Sequence, residues 1–273
     1  MTHFQLTVAA VALFGACTTT PEVATSEAAS SLEEETCTAE LEVDPNNCGA
    51  CGNVCASGLC YSGVCADDRA GHMFVIGHSY KTSNPALDRV LGNALATASN
   101  KNINVALYLG GASSAQRTAV SNAVTRGASL VGYRATKTIA TNPVAVQGLL
   151  STSQVLVVAP QAQASDATLD SIAEQWRLPV DDFLRRGGVV IVLDGPSDLN
   201  AGTSRVVAHH LPLTRATMAP GATATISAPA SAAVGGVPML FALGESVGYA
   251  PSGHDDSVTS ESGHAVVVQR AYY

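Results

Sequence analysis

Cysteine is absent from the last 208 residues of this 273-residue chain, aromatic residues make up 5% of it, and charged residues 13%. Each shortage removes a class of function. Without a thiol, the long C-terminal part has no cysteine nucleophile and no thiolate metal ligand. Few aromatics beside 47% apolar residues mean a core of Ala and Val rather than Phe and Trp. No apolar run reaches the ~18 residues of a membrane-crossing helix, which argues against a polytopic membrane protein. The chain also lacks a GxxxxGK[ST] phosphate loop, so no nucleotide is expected, nor any other cofactor. Basic residues are scarce where they would matter. Residues 1–71 hold ten acids against one base, Arg69, while residues 72–273 hold twelve acids and thirteen bases. The net charge of −8 therefore sits in the front segment. No stretch has the Lys/Arg density that phosphate neutralisation requires, which argues against nucleic acid as a partner.

What is present begins with residues 4–16, FQLTVAAVALFGA. This apolar run is too short to span a bilayer but has the length of a signal-peptide core. It closes on Phe14-Gly15-Ala16-Cys17, which resembles the lipobox of bacterial lipoproteins. The resemblance implies cleavage after residue 16 and acylation of Cys17, so that membrane lipid is a partner through that residue. Each buried methylene of an acyl chain adds ~0.8 kcal/mol to anchoring, so more than one chain makes a lasting anchor. Residues 17–36 then read as a linker: Ser, Thr, Ala and Glu offer little to bury, and the Glu33-Glu34-Glu35 run repels itself.

Six cysteines, Cys37, Cys48, Cys51, Cys55, Cys60 and Cys65, fall within residues 37–66 with spacing C-x10-C-x2-C-x3-C-x4-C-x4-C. In an exported chain an even count in a short Gly/Asn-rich segment reads as three disulfides, at ~2–4 kcal/mol each, with fifteen pairings open. In the cytosol the same Cys48-x-x-Cys51 spacing would favour zinc; the export signal favours disulfides, and no metal site is assigned. The stretch from Asn47 to Cys55, NCGACGNVC, followed by Cys60 and Cys65, resembles the Cys-rich repeat of the stigma-specific protein family. Similar modules occur in bacterial surface lipoproteins. The likeness implies a small extracellular interaction or spacer module, without catalysis.

Residues 71–273 change texture. Short β-branched runs alternate with helical patterns, the mark of an α/β domain with a mostly parallel sheet and helices on both faces, amidotransferase-like or flavodoxin-like in plan. The clearest strands are 72–77, 103–109, 154–159 and 189–193; 129–133, 238–243 and 264–270 are further candidates. Helical stripes are carried by Leu87, Val90, Leu91, Ala94 and Leu95 after Pro85; by Ala119, Val120, Ala123 and Val124 in a shorter helix; and by Leu169, Ile172, Ala173, Trp176, Phe183 and Leu184. Pro179 is expected to kink or split the last. Residues 214–236 suit a β excursion or ordered loop, and the terminal apolar strand is expected to close the sheet.

The order QVLVVAPQA, helix, FLRRGGVVIVLDG over residues 154–198 resembles the class I glutamine-amidotransferase-like superfamily and its ThuA-like branch. The resemblance implies a sharp turn after the second strand that presents a cysteine nucleophile. Here that turn reads Leu193-Asp194-Gly195-Pro196-Ser197, so amidotransferase chemistry is lost. Ligands of open α/β sheets sit beyond the carboxyl ends of the strands. From those tips His78, Ser79, Gln161, Asp194 and Ser197 form the candidate ligand cleft. Neither 77–80 nor 194–197 matches a GxSxG elbow, and no catalytic residue is assigned. His209-His210 and His254-Asp255-Asp256 read as a helix end and a surface turn rather than cation sites.

The expectation is therefore an exported lipoprotein, anchored in the bacterial cell envelope at the outer membrane or cell surface. Its role is non-catalytic binding or scaffolding toward an envelope or extracellular protein or glycan. The alternative is a hydrolase or carbohydrate-active enzyme using Ser, His and Asp at the strand tips. A third reading makes the large domain a spacer that presents the cysteine module. Convergence of a Ser, a His and a carboxylate in one cleft discriminates the first two.

Overall fold

A computed structural model describes residues 41, 44, 46–54, 60, 61, 64, 65, 70–219, 221–251 and 255–272. The apolar leader, Cys17, the acidic linker, Cys37 and Cys55 lie outside the described residues. Residues Ala39–Tyr273 form one compact unit. Within it, the NCGACGN stretch closes on itself: the Cys48 and Asn53 backbones bond at 2.9 Å, and Asn47 Oδ1 accepts the Gly52 N–H at 2.9 Å. Gly49 and Gly52 adopt φ of 71° and 74°, a region that side chains resist; both glycines of the motif are thereby accounted for. Cys48 and Cys51 are each disulfide-bonded. Strands β1 (Cys60–Tyr61) and β2 (Val64–Cys65) pair antiparallel as a small hairpin.

The rest is built on one large sheet. Its parallel half comprises β3 (Gly71–Ile76), β4 (Asn102–Tyr108), β5 (Arg134–Ala140), β6 (Val155–Val158) and β7 (Val189–Leu193), in spatial order β5-β4-β6-β7-β3. Helices α1 (Pro85–Leu95) and α2 (Ser114–Leu130) carry the chain toward the β5 edge, while α3 (Pro143–Leu150) and α4 (Asp166–Arg185) bring it back. Keeping one crossover hand while the direction reverses puts the two pairs on opposite faces. The cores follow this division. Phe74, Ile76, Val105, Leu107, Val157 and Ile191 pack with α1 and α2, whereas Met73, Val75, Ala106, Leu156, Val190 and Val192 pack with α3 and α4. Strand alternation thus supplies both cores from the same apolar runs.

Beyond β3 the sheet turns antiparallel. Strand β13 (Ala265–Tyr272) pairs with β3, then come β12 (Asp256–Ser260), β9 (Thr223–Ile226) and β10 (Leu240–Ala242). The two-residue strands β8 (Arg215–Ala216) and β11 (Gly248–Tyr249) pair beside them. The sheet is therefore mixed, which corrects the expectation of a mostly parallel one. Parallel neighbours need crossovers of a dozen or more residues, usually helical. After β7, the described residues supply only short 3-10 turns, Thr203–Val207 and Ala232–Val234.

Four other expectations change. Residues 129–133 are not a strand: α2 runs seventeen residues to Leu130, and the strand follows at Arg134–Ala140. Pro179 does not split α4, which is continuous over twenty residues. The carbonyl that the missing Pro179 N–H leaves unpaired, that of Gln175, accepts instead from Gln147 Nε2 of α3 at 3.1 Å. Asp255 and Asp256 are not a free surface turn, because Asp256 opens β12 and Asp255 is bonded to Arg270; His254 lies outside the described residues. The terminal strand does not close an edge but sits between β12 and β3, where it joins the two halves.

Candidate functional site

The tips of β3, β6 and β7 deliver the five candidate side chains, and each is tied down separately. His78 is fully buried; its Nδ1 lies 2.9 Å from Ser246 Oγ and its Nε2 3.3 Å from the Thr82 carbonyl. Burial pushes its imidazole below the ordinary value, with the Thr82 carbonyl and the charges of Asp88 and Glu245 opposing. Ser79 donates to Glu245 Oε2 at 3.1 Å. The next residue, Tyr80, has φ 57°, the sole positive φ at a described non-glycine residue. Its buried phenol donates to the Leu87 carbonyl at 2.9 Å, so the turn is held from within.

Gln161 fills the crevice between the β4 and β6 tips, the point at which the strand order reverses. Its Oε1 accepts from Gly111 N–H at 2.6 Å, its Nε2 donates to the Ala159 carbonyl at 2.6 Å, and its backbone N–H donates to Thr203 Oγ1 at 2.9 Å. A position where open α/β sheets bind ligands is thus closed by a side chain.

Asp194 is buried at 1% exposure and organises the loops above β7. Its Oδ1 accepts from the Gly195 and Thr203 N–H groups at 2.9 and 3.0 Å, and its Oδ2 accepts from the Tyr249 hydroxyl at 2.9 Å. Burial first, and the Asp194 charge second, hold the Tyr249 phenol well above its ordinary value. Ser197 donates to the Ala162 carbonyl at 3.3 Å and accepts from Leu199 N–H at 3.2 Å. The five therefore do not meet as Ser, His and carboxylate. His78 bonds neither Ser79 nor Asp194, and no described residue between 193 and 198 has the positive φ of a strained elbow.

Beside these tips lies a groove of about 610 Å³. Its walls are the loop 196–201 after β7, Arg205 of the 3-10 segment, the segment 213–218 that contains β8, and Ser246 with Val247. Ser197 is the one member of the candidate cleft that lines it. Sequence reasoning missed the remainder, Ser246 above all. No local pattern marks that residue; an isolated bridge between His78 and Ser246 brings it to the β3 tip. The Ser246–His78 pair has the spacing of a nucleophile and its base. Its surroundings are less suited to acyl transfer. Ser246 Oγ also donates to the Leu243 carbonyl at 2.7 Å, Ser246 N–H to Gly244 at 2.9 Å and Val247 N–H to Gly77 at 2.8 Å. The two amides nearest the hydroxyl are spent, and neither can receive an oxyanion.

His209 and His210 lie on a turn after the 3-10 segment rather than at the expected helix end, and they bond different partners. The exposed His209 bonds Glu174 at 2.7 Å, and the half-buried His210 gives its carbonyl to Arg270 and Tyr272.

No family model matches this chain, and no curated protein does. Among solved structures it is similar, slightly, to a peptidase from an acI-B1 Actinobacterium, at 9% identity over 47% of this chain and 55% of that one, with a TM-score of 0.32. It is similar to a like degree to a protein carrying the peptidase E name from Listeria monocytogenes EGD-e, at 12% identity over 47% of this chain and 59% of that one, with a TM-score of 0.29. The chain thus spans under three fifths of the length of either, and likenesses of this size carry no argument about function.

Proposed function

We propose that the protein is an exported envelope lipoprotein whose α/β domain binds a ligand or partner without catalysis. In this reading Cys17 carries the lipid, the linker lifts the folded part off the membrane, and three disulfides staple residues 37–66. The domain keeps an amidotransferase-like, ThuA-like plan with its nucleophile gone, and the groove is the ligand site. The observation that carries the binding role is the contrast between an open groove and candidate side chains each held in a separate internal bond. Intact-mass analysis of membrane-extracted protein tests the anchoring. The expected species begins at Cys17, carries acyl chains and has its six other cysteines oxidised. Mature material starting at Met1 with free thiols would overturn the proposal.

A second reading, a hydrolase, is favoured by one contact, that of Ser246 with His78 at 2.9 Å on the groove wall. A fluorophosphonate probe separates the two. Binding without catalysis leaves Ser79, Ser197 and Ser246 unlabelled, whereas a stoichiometric adduct on Ser246 establishes the hydrolase.

A further inference from the structure

We infer that the groove receives a hydroxylated carboxylic acid of the sugar-acid type. Arg215 clamps the carboxylate, and Asp198, Thr214 and Thr217 receive the hydroxyls; the inference rests on the groove being the ligand site. It starts from an uneven use of arginine. Arg126, Arg205 and Arg270 are each bonded to a carboxylate, those of Asp88, Asp170 and Asp255. Arg89 and Arg117 each give two bonds to backbone carbonyls. Arg215, half-buried on the groove wall, makes one bond among the described residues, from Nη2 to the Gly195 carbonyl at 2.6 Å. Four of its five N–H donors remain, and a planar guanidinium offers such donors as a fork that matches a carboxylate.

The guanidinium is also held in place before any ligand arrives. Arg215 stands on β8 opposite Tyr249, whose hydroxyl is fixed by Asp194. Its stem packs against Gly202, where an added Cβ would lie 3.3 Å from Arg215 Cδ. A charge that need not be ordered on binding costs less entropy to use.

The remaining lining selects within the anions. Asp194 lies buried beneath the loop and Asp198 stands exposed on the rim. A doubly charged phosphate would be repelled by both carboxylates, whereas a single carboxylate is balanced by Arg215, the other lining cation, Arg205, being paired with Asp170 and Asp166. Asp198, Thr214 and Thr217 line the groove and make no side-chain hydrogen bond among the described residues. A carboxylate and two hydroxyls lining one groove suit the hydroxyls of a polyol. No aromatic side chain lines the groove among the described residues. A neutral sugar therefore finds no ring to stack on, and the carboxylate must supply the anchor. The volume of about 610 Å³ falls within the usual range of small-molecule sites.

Isothermal titration of the purified full chain with D-glucuronate tests this, with D-glucose and inorganic phosphate as comparators. Glucuronate is expected to bind at least tenfold more tightly than either. Arg215→Lys, which keeps the charge and loses the fork, is expected to weaken it tenfold or more. Asp198→Asn, an exposed change that cannot disturb the core, is expected to weaken it several-fold, and Thr217→Trp to abolish it. Thermal melts confirm that each variant is folded. Absent binding of glucuronate, equal binding of glucose, or unchanged affinity in both Arg215→Lys and Asp198→Asn would overturn the inference. If glucose or phosphate binds instead and Thr217→Trp abolishes that binding, the groove stands as the site and the sugar-acid assignment is wrong. If glucuronate binding survives Thr217→Trp, both fall.

Discussion

His78 and Asp194 show how much of the candidate site is stability rather than chemistry. His78, His72 and His210 are all held below the ordinary imidazole value, each chiefly by burial. A group depressed on folding binds its proton more readily when unfolded, so the stability it contributes is present above about pH 6.5 and is lost as pH falls. The melting temperature is accordingly expected to drop between pH 7 and pH 5, with a shallower slope in His78→Gln; an equal slope in both proteins would assign the effect elsewhere. Asp194→Ala strips the acceptor from two backbone N–H groups and the buried Tyr249 hydroxyl. A cost of about 3 kcal/mol or more is expected in denaturant unfolding. These residue types were readable in the sequence as polar groups at strand tips. Their partners were not, because Ser246, Thr203 and Tyr249 arrive from segments 9 to 168 positions away.

Two helix contacts carry tests at the scale of elements. Helices α1 and α2 cross where Gly92 faces Gly127, and a Cβ on Gly92 would lie 2.3 Å from the Gly127 carbonyl oxygen. Alanine gains about 1 kcal/mol of helix propensity over glycine, but backbone overlap of that size has to be relieved by separating the helices. Gly92→Ala is therefore expected to lower stability, and a rise in melting temperature would show the crossing to be loose. The second contact joins α3 to α4. Gln147→Ala removes the bond to the Gln175 carbonyl and should cost about 1 kcal/mol, little more because the group is exposed. In a Pro179→Ala background the helix's own N–H reaches that carbonyl, and the Gln147→Ala effect should vanish. A double-mutant cycle with no coupling would reject the account. The α1 and α4 stripes were legible because burial on one face imposes a 3.6-residue rhythm: Leu87, Val90, Leu91 and Leu95, like Leu169, Ile172, Trp176 and Phe183, are all buried. Helix α3 and strand β5 left no such trace. RATKTIA lies at a sheet edge with four of its seven residues exposed and two more partly so, and Lys137 bonds Ser121 and Thr125 across to α2. An edge blunted by charge reads as a loop.

At the scale of the molecule, β13 decides whether there is one domain. It pairs with β3 over six residues and with β12 on its other side, so deleting residues 264–273 separates the parallel half from the antiparallel half. The shortened chain is expected to be insoluble or protease-sensitive, and a soluble protein with a native-like melt would contradict this. Four of the five parallel strands, all but β5, were foreseeable because buried strands must be apolar on both faces. The antiparallel half was foreseeable only in part: β10 and β13 fall on the candidates 238–243 and 264–270, whereas β8 and β11 contain two residues each and no periodicity survives at that length.

The sequence by itself determined the alternation of apolar runs and helical stripes, the loss of cysteine beyond residue 65, and the division of charge between an acidic front and a neutral remainder. These are local or compositional properties, set by burial and charge wherever the chain goes. Only the tertiary structure decided that Gln161 closes the strand-order crevice, that Asp194 is a buried anchor, and that Arg215 is left with donors to spare on a groove wall. Those outcomes depend on which distant segment reaches each polar group first, and no spacing along the chain records that choice.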